Sequence, residues 1–235
     1  PAAYSHGLGR SSAVKNSSAS DLQTLQPEYA LNQLVKLFNG TRGRIPLSGL
    51  LRPGLLVLDL QRLFTDPESP AFVPLWPQCR PRCLTLVEAF LRKGRPVILT
   101  RHVHGAQDDG FLIKRFFGRV QTPEDPLSEI SQDILNLSRS APIIDKDRHS
   151  AFLNSCVVEL LAGCDSVVIV GLQTPLCVLA TALDAPRVRL VPVVVMDATA
   201  ARTVEVHISA LRCLAAGHAH LATTREVLDM LEGEA

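Results

Sequence analysis

The run Ser166-Val-Val-Ile-Val-Gly171, continuing as Leu-Gln-Thr-Pro-Leu-Cys177-Val178, decides the fold of this chain. Its apolar residues do not alternate with polar ones, so it predicts a strand buried on both faces. A short turn follows, and Thr174 to Ala185 reads as a helix. Strand, turn and helix in immediate succession form the unit of a parallel sheet.

The same unit recurs on both sides. Upstream, Gly54 to Leu60 is a short apolar run carrying Asp59 near its end. Arg82 to Lys93 is an amphipathic helix closed by Gly94, and Pro96 to Arg101 is a second strand. His102 to Asp125 reads as a long polar and aromatic loop. Ile143-Ile144 gives a brief third strand, and Ser150 to Leu161 gives a helix before Gly163. Downstream, Val188 to Met196 is a strand ending at Asp197, and Thr203 to Ala216 is a helix. His218 to Ala222 is a last strand, and Thr224 caps a helix through Leu231. This alternation predicts an α/β fold with a central, mostly parallel sheet of roughly six strands, helices on both faces and right-handed crossovers. Residues 1–49 lie outside the pattern and read as an N-terminal arm, rich in Ser, Ala and Gly, with one short helix over Pro27 to Phe38.

Composition narrows the function. Of 235 residues, 46% are hydrophobic and only 5% aromatic, which points to an aliphatic core. The 24 basic and 23 acidic residues leave a net charge of +1, with no basic stripe suited to nucleic acid or an anionic membrane. No apolar run reaches the length of a membrane span, and Pro1 to Lys15 lacks the apolar centre of a signal peptide. The six cysteines make neither a disulfide framework nor a zinc spacing, so a reducing, cytoplasmic setting is expected.

In open parallel sheets, ligands bind beyond the carboxyl ends of the strands. The candidates are therefore Asp59 and Gln61, Arg101 to His104, Lys146, Gln173 to Cys177, and Asp197. Cys177 falls in the first turn of a helix, where free N–H groups favour a thiolate and could hold an oxyanion. Asp59 is placed to take the thiol proton, and Lys146 to steady the developing negative charge. Singly, each has a bland reading: a structural cysteine, an N-cap and a surface lysine. Three such groups at three strand ends favour one site.

The motifs carrying these residues are Val57-Leu-Asp-Leu-Gln-Arg-Leu-Phe64, Lys146-Asp-Arg-His-Ser-Ala-Phe152 and Gly171-Leu-Gln-Thr-Pro-Leu-Cys-Val-Leu-Ala-Thr-Ala-Leu-Asp-Ala185. In order and spacing they resemble the three signatures of the isochorismatase-like cysteine hydrolases, and the resemblance covers most of the chain outside the arm. It implies a three-layer αβα domain over 50–235 and a catalytic triad of Asp59, Lys146 and Cys177. It also implies a cis peptide between Leu172 and Gln173, which would aim the Leu176 and Cys177 amides at an oxyanion. Nicotinamidases of this family carry an Asp-x-His metal motif after the second strand. Here that place reads Arg101-His-Val-His104 with no acid between the histidines, so neither metal nor other cofactor is expected.

For the substrate pocket the sequence offers Gln61, Phe64, His102, His104, Phe111, Phe116, Arg148 and Gln173. Each has a packing alternative, and Arg148 could equally pair with a local aspartate. His207, within a helix, reads as structural. Members that cleave the vinyl ether of isochorismate commonly lack the cysteine, so Cys177 favours cleavage of an amide or ureido C–N bond through an acyl-thioester. The alternatives are a vinyl ether hydrolase with Asp59 as the acid, or a non-catalytic member. The expected partner is a small-molecule substrate, with a homo-oligomer (dimer or tetramer) as the assembly.

Overall fold

The structure is a computed structural model, and it describes residues 36–38, 47–105, 107–108 and 110–233. Most of the arm, and most of the helix expected over Pro27 to Phe38, lies outside the described residues.

Six strands form one sheet: β1 (Pro53–Leu58), β2 (Val97–His102), β3 (Ile143–Lys146), β4 (Ser166–Leu172), β5 (Val191–Ala200) and β6 (His220–Ala222). Their order is β3-β2-β1-β4-β5-β6, and every neighbouring pair is parallel. The chain builds outward from β1 to β3, then returns to the other side of β1 to lay down β4. The crevice at this reversal is where a doubly wound sheet receives its ligand.

Successive side chains of each strand leave on opposite faces, so one apolar run feeds two cores. Leu55, Val57, Val168 and Val170 pack against α2 (Trp76–Arg92), α4 (Gln132–Leu137) and α8 (Thr224–Glu232). Leu56, Leu58, Val167 and Ile169 pack on the other face against α5 (Ser155–Leu160), α6 (Leu179–Asp184) and α7 (Val204–Ala215), with Phe38 beside them. All seven residues of β4 are buried, as its composition requires. Two short helices, α1 (Arg62–Thr65) and α3 (Phe111–Phe117), lie at the carboxyl end of the sheet. Among the described residues, no helix is long and apolar enough to cross a membrane.

Several boundaries differ from the sequence expectation. Helix α2 begins at Trp76 rather than Arg82, because Trp76 and Cys79 are buried in the core and Pro77 suits the first turn. The expected helix from Ser150 opens as a 3-10 turn, Ala151–Leu153, and becomes α-helical only after Asn154, whose side chain accepts from the Cys156 amide at 3.0 Å. Strand β5 runs past Asp197 to Ala200. Asp197 accepts hydrogen bonds from the Thr224 amide and hydroxyl at 2.8 and 2.9 Å and pairs with Arg82, so it holds α8 in place. The loop expected over His102 to Asp125 contains α3, whose C-terminus is closed by Gly118 at φ 74°, a left-handed cap.

Gly171 is required by contact as well as by conformation. Its φ is 105°, and a Cβ there would lie 2.2 Å from the carbonyl oxygen of Leu58 on β1. Substitution Gly171→Ala therefore forces apart the two strands that carry Asp59 and Cys177. Urea denaturation should register a loss of about 2 kcal/mol or more, and a variant as stable as the native chain would contradict this packing.

Candidate active site

Three strand ends meet at the reversal of strand order. Asp59 follows β1, with a left-handed backbone (φ 53°) tolerable for Asp. Its amide donates to the Thr100 carbonyl at 3.2 Å, and its Oδ1 accepts from the Thr100 hydroxyl at 2.7 Å. Those two bonds fix the carboxylate and turn Oδ2 towards Lys146 Nζ, 2.8 Å away. Lys146 is the last residue of β3, and its ammonium also lies 3.3 Å from Cys177 Sγ. Asp59 is wholly buried, Lys146 and Cys177 nearly so.

Cys177 sits in a single wide turn, Thr174–Val178, with π-helical bonding: the Val178 amide donates to the Gln173 carbonyl at 3.3 Å. The regular helix starts only at Leu179. The Leu172–Gln173 peptide is cis. The Leu176 amide donates to the Gln173 carbonyl at 3.0 Å, so this expected oxyanion donor is engaged within the turn. His207 pins the turn from behind. Its Nε2 lies 3.2 Å from the Met196 carbonyl, which can only accept, so Nε2 carries the proton and Nδ1 accepts from the Thr174 hydroxyl at 2.7 Å. Burial holds this imidazole neutral, its pKa lowered to about 4.

The charges of Asp59 and Lys146 support one another. Burial pushes Asp59 upward, but Lys146 and the hydrogen-bonding partners outweigh it and hold the carboxylate below its ordinary value. Burial likewise works against the ammonium of Lys146, and Asp59 more than restores it. The Cys177 thiol is pushed up, by burial first and the Asp59 charge second, against the pull of Lys146. The resting site is therefore a carboxylate, an ammonium and a neutral thiol. The thiolate that a helix N-terminus would favour is overridden by desolvation.

Asp59 and Cys177 line a cavity of about 310 Å³, and Lys146, in contact with both, lines the neighbouring groove. Of the residues expected in the pocket, Phe64, His102, His104, Phe116 and Gln173 line the cavity. Gln61 does not. It is buried and clasps the backbone of His102, accepting from its amide at 2.8 Å and donating to its carbonyl at 3.2 Å. Phe111 does not line it either; its ring stacks under Arg115 on the outer side of α3. Arg148 faces a separate groove and pairs with Asp108 and Asp147, the local pairing that competes with substrate recognition.

The sequence reading passed over His149, which lines the cavity with Nδ1 3.7 Å from Cys177 Sγ. The available signal was its place in the same motif as Lys146, three residues on. His102 Nδ1 stands at the same 3.7 Å from the sulfur. Burial and then the Lys146 charge lower His102 to about 3, and both effects lower His149 as well. The ligand atoms of His102, His149 and Cys177 lie within 4.8 Å of one another, a spacing a metal could bridge. The Lys146 ammonium lies 3.3 Å from both the sulfur and His102 Nδ1, and that positive charge opposes a cation there.

The buried ion pair carries a pH dependence. The Asp59 pKa is lowered on folding, so its stabilisation is complete above the ordinary carboxylate value of 3.8 and is lost as pH falls through the lower folded value. Urea denaturation of the native chain and Asp59→Asn should show the variant with a flatter decline in stability below that point. Lys146→Met, which strands a buried carboxylate, should cost about 3–5 kcal/mol. Parallel acid limbs in native chain and Asp59→Asn would refute the ion-pair assignment.

Residues 53–226 match the family model of the isochorismatase domain. Nicotinamidase 3 of Arabidopsis thaliana is 31% identical over 77% of this chain and 88% of its own length. A cysteine hydrolase from Pseudomonas syringae pv. phaseolicola shares the fold, with a TM-score of 0.73 at 23% identity over 83% of this chain and 97% of that one. N-carbamoylsarcosine amidase from Thermoplasma acidophilum superposes with a TM-score of 0.62 at 25% identity over 74% of this chain and 96% of its own. The chain belongs to the isochorismatase family.

Proposed function

We propose that this chain is a cysteine hydrolase that cleaves the C–N bond of a small amide or ureido compound through an acyl-thioester on Cys177. The observation that carries the reading is the position of Lys146 Nζ, 2.8 Å from Asp59 Oδ2 and 3.3 Å from Cys177 Sγ, where Asp59 and Cys177 line a cavity sized for a small molecule. Two relatives are named for such reactions, a nicotinamidase and an N-carbamoylsarcosine amidase.

In this reading Asp59 takes the thiol proton as sulfur attacks the carbonyl carbon. A neutral resting thiol suits the role, because the nucleophile is generated only when substrate is present. Lys146 compensates the charge that appears on sulfur and then on the oxyanion, in a site dry enough to make that interaction strong. The Cys177 amide is the backbone group assigned to the same oxygen. The C–N bond breaks as the nitrogen collects the proton from Asp59, leaving the acyl-thioester for water. Phe64 and Phe116 supply apolar walls, which favour a substrate with a flat or apolar body.

Nicotinamide and N-carbamoylsarcosine are the first two amides to screen, by ammonia release. At least one amide of this size should be turned over by the native chain, and Cys177→Ala should lose about a thousandfold or more. A Cys177→Ala variant that keeps native amide hydrolysis would sink the thioester mechanism. One that cleaves isochorismate at the native rate would favour vinyl ether hydrolysis with Asp59 as the acid.

A further inference from the structure

The cavity wall carries more polar groups than Asp59 and Cys177, and most of them are already engaged. Arg119 pairs with Asp125, and Gln121 bridges the two, accepting from Arg119 Nε at 3.2 Å and donating to Asp125 Oδ2 at 3.0 Å. His104 Nδ1 lies 2.9 Å from Asp108 Oδ2, and His102 and His149 stand against the sulfur at 3.7 Å. Two polar side chains of the lining are left over, Gln173 and Arg202.

Gln173 is the first residue beyond β4, and only 7% of it is exposed. Its backbone carbonyl belongs to the turn that carries Cys177, accepting from the Leu176 and Val178 amides. Among the described residues its carboxamide makes no hydrogen bond, not even as the cap of that turn. A buried carboxamide with both its N–H groups and its oxygen unsatisfied costs free energy unless a ligand supplies the partners. A group that offers an N–H beside an acceptor oxygen supplies both.

Arg202 reaches the same cavity from the neighbouring strand. β4 and β5 are in register at Leu172 and Ala200, so Gln173 and Arg202 follow one and two residues beyond a paired position. The backbone on either side of Arg202 is fixed. Ala201 is wholly buried, and the Thr203 hydroxyl accepts from the Val206 amide at 3.3 Å to start α7. The Arg202 side chain is exposed and, among the described residues, forms no ion pair and no hydrogen bond. Among the described residues that line the cavity, Asp59 is the one carboxylate, and Lys146 already neutralises it. A guanidinium held there without a counter-charge is matched by a carboxylate, which it takes through two parallel N–H bonds.

We propose that Gln173 and Arg202 form a recognition subsite for an α-ureido acid, a carbamoyl head joined through an N–H to a carbon that bears a carboxylate. The subsite rests on the cysteine-hydrolase reading above and narrows it to one class among small amides and ureido compounds. With the carbamoyl carbon at Cys177 Sγ, the N–H faces the Gln173 oxygen. The carboxylate takes the Arg202 guanidinium, with the Gln173 N–H groups beside it. A cavity of about 310 Å³ limits the body between head and carboxylate to a few heavy atoms. A compound whose nitrogen is methylated leaves the Gln173 oxygen unpaired, and one without the carboxylate leaves Arg202 unpaired. Both residues determine specificity, and neither acts on the bond that breaks.

Three ureas of similar size separate the two halves of the subsite. N-carbamoylglycine has both the N–H and the carboxylate, N-carbamoylsarcosine has a methyl group in place of that hydrogen, and propylurea lacks the carboxylate. In ammonia release, kcat/KM of the native chain for N-carbamoylglycine should exceed that for propylurea about thirtyfold and that for N-carbamoylsarcosine about tenfold. Arg202→Met should bring the first ratio close to unity, and Arg202→Lys should restore part of it. Arg202 is exposed, so folding is not at stake. Gln173→Leu should bring the second ratio close to unity. Calorimetric titration of Cys177→Ala with the same three compounds reads the subsite without turnover, and the two acids should bind more tightly than propylurea only while Arg202 is present. Acids that bind no better than propylurea, native ratios near unity, or ratios that survive Arg202→Met and Gln173→Leu overturn the subsite and leave the hydrolase reading standing. Acids held through Arg202 by a native chain that turns over no amide or urea support the subsite and overturn the hydrolase reading.

Discussion

The ion pair between Asp59 and Lys146 is the interaction on which the site depends. Two opposite charges lie 2.8 Å apart with almost no exposure to solvent. Removing either partner leaves the other as an uncompensated buried charge, which proteins tolerate poorly. Its location is a property of the sheet. β1 and β3 are separated by β2, and Thr100 of β2 braces the carboxylate from between them. The ion pair is thus fastened to three neighbouring strands, while Cys177 arrives from the end of a fourth.

That arrangement explains why the sulfur is held neutral. A cysteine in a buried turn pays desolvation for becoming a thiolate, and the adjacent carboxylate adds to the cost. Lys146 offsets part of it and is already in contact with sulfur, so charge can appear there without rearrangement. The turn itself is fixed by the Thr174–His207 hydrogen bond and by the close approach of Gly171 to Leu58. A single wide turn, rather than the first turn of a regular helix, sets the direction of Cys177 towards Lys146.

The other half of the site differs in character. The histidine pair at the end of β2 and the loop beyond it, with Asp108, make a polar path from the sulfur to the surface. Helix α3 lies beside this path and contributes Phe116 to the cavity wall. Titratable rings and part of the cavity wall are therefore both supplied by the segment after β2, whereas Asp59, Lys146 and Cys177 are placed by the ends of the strands.

Much of this was legible in the sequence, for definable reasons. Apolar runs of three or four residues leading to Asp59, Arg101 and Gly171 identified the buried parallel strands, because a strand covered on both faces has no polar alternation to lose, whereas the edge strand before Lys146 was marked only by Ile143-Ile144. The carboxyl-end rule then brought Asp59, Lys146 and Cys177 to one edge without any coordinates. What sequence could not decide was where side chains of the irregular segments turn. Gln61 went to the backbone of His102 and Arg148 to Asp108, each satisfied by a neighbour brought close only by folding, and Phe111 went to the outer side of α3 under Arg115. The protonation state of Cys177 was equally out of reach. It depends on burial and on the distance to Asp59, and both are quantities of three-dimensional packing that local spacing does not contain.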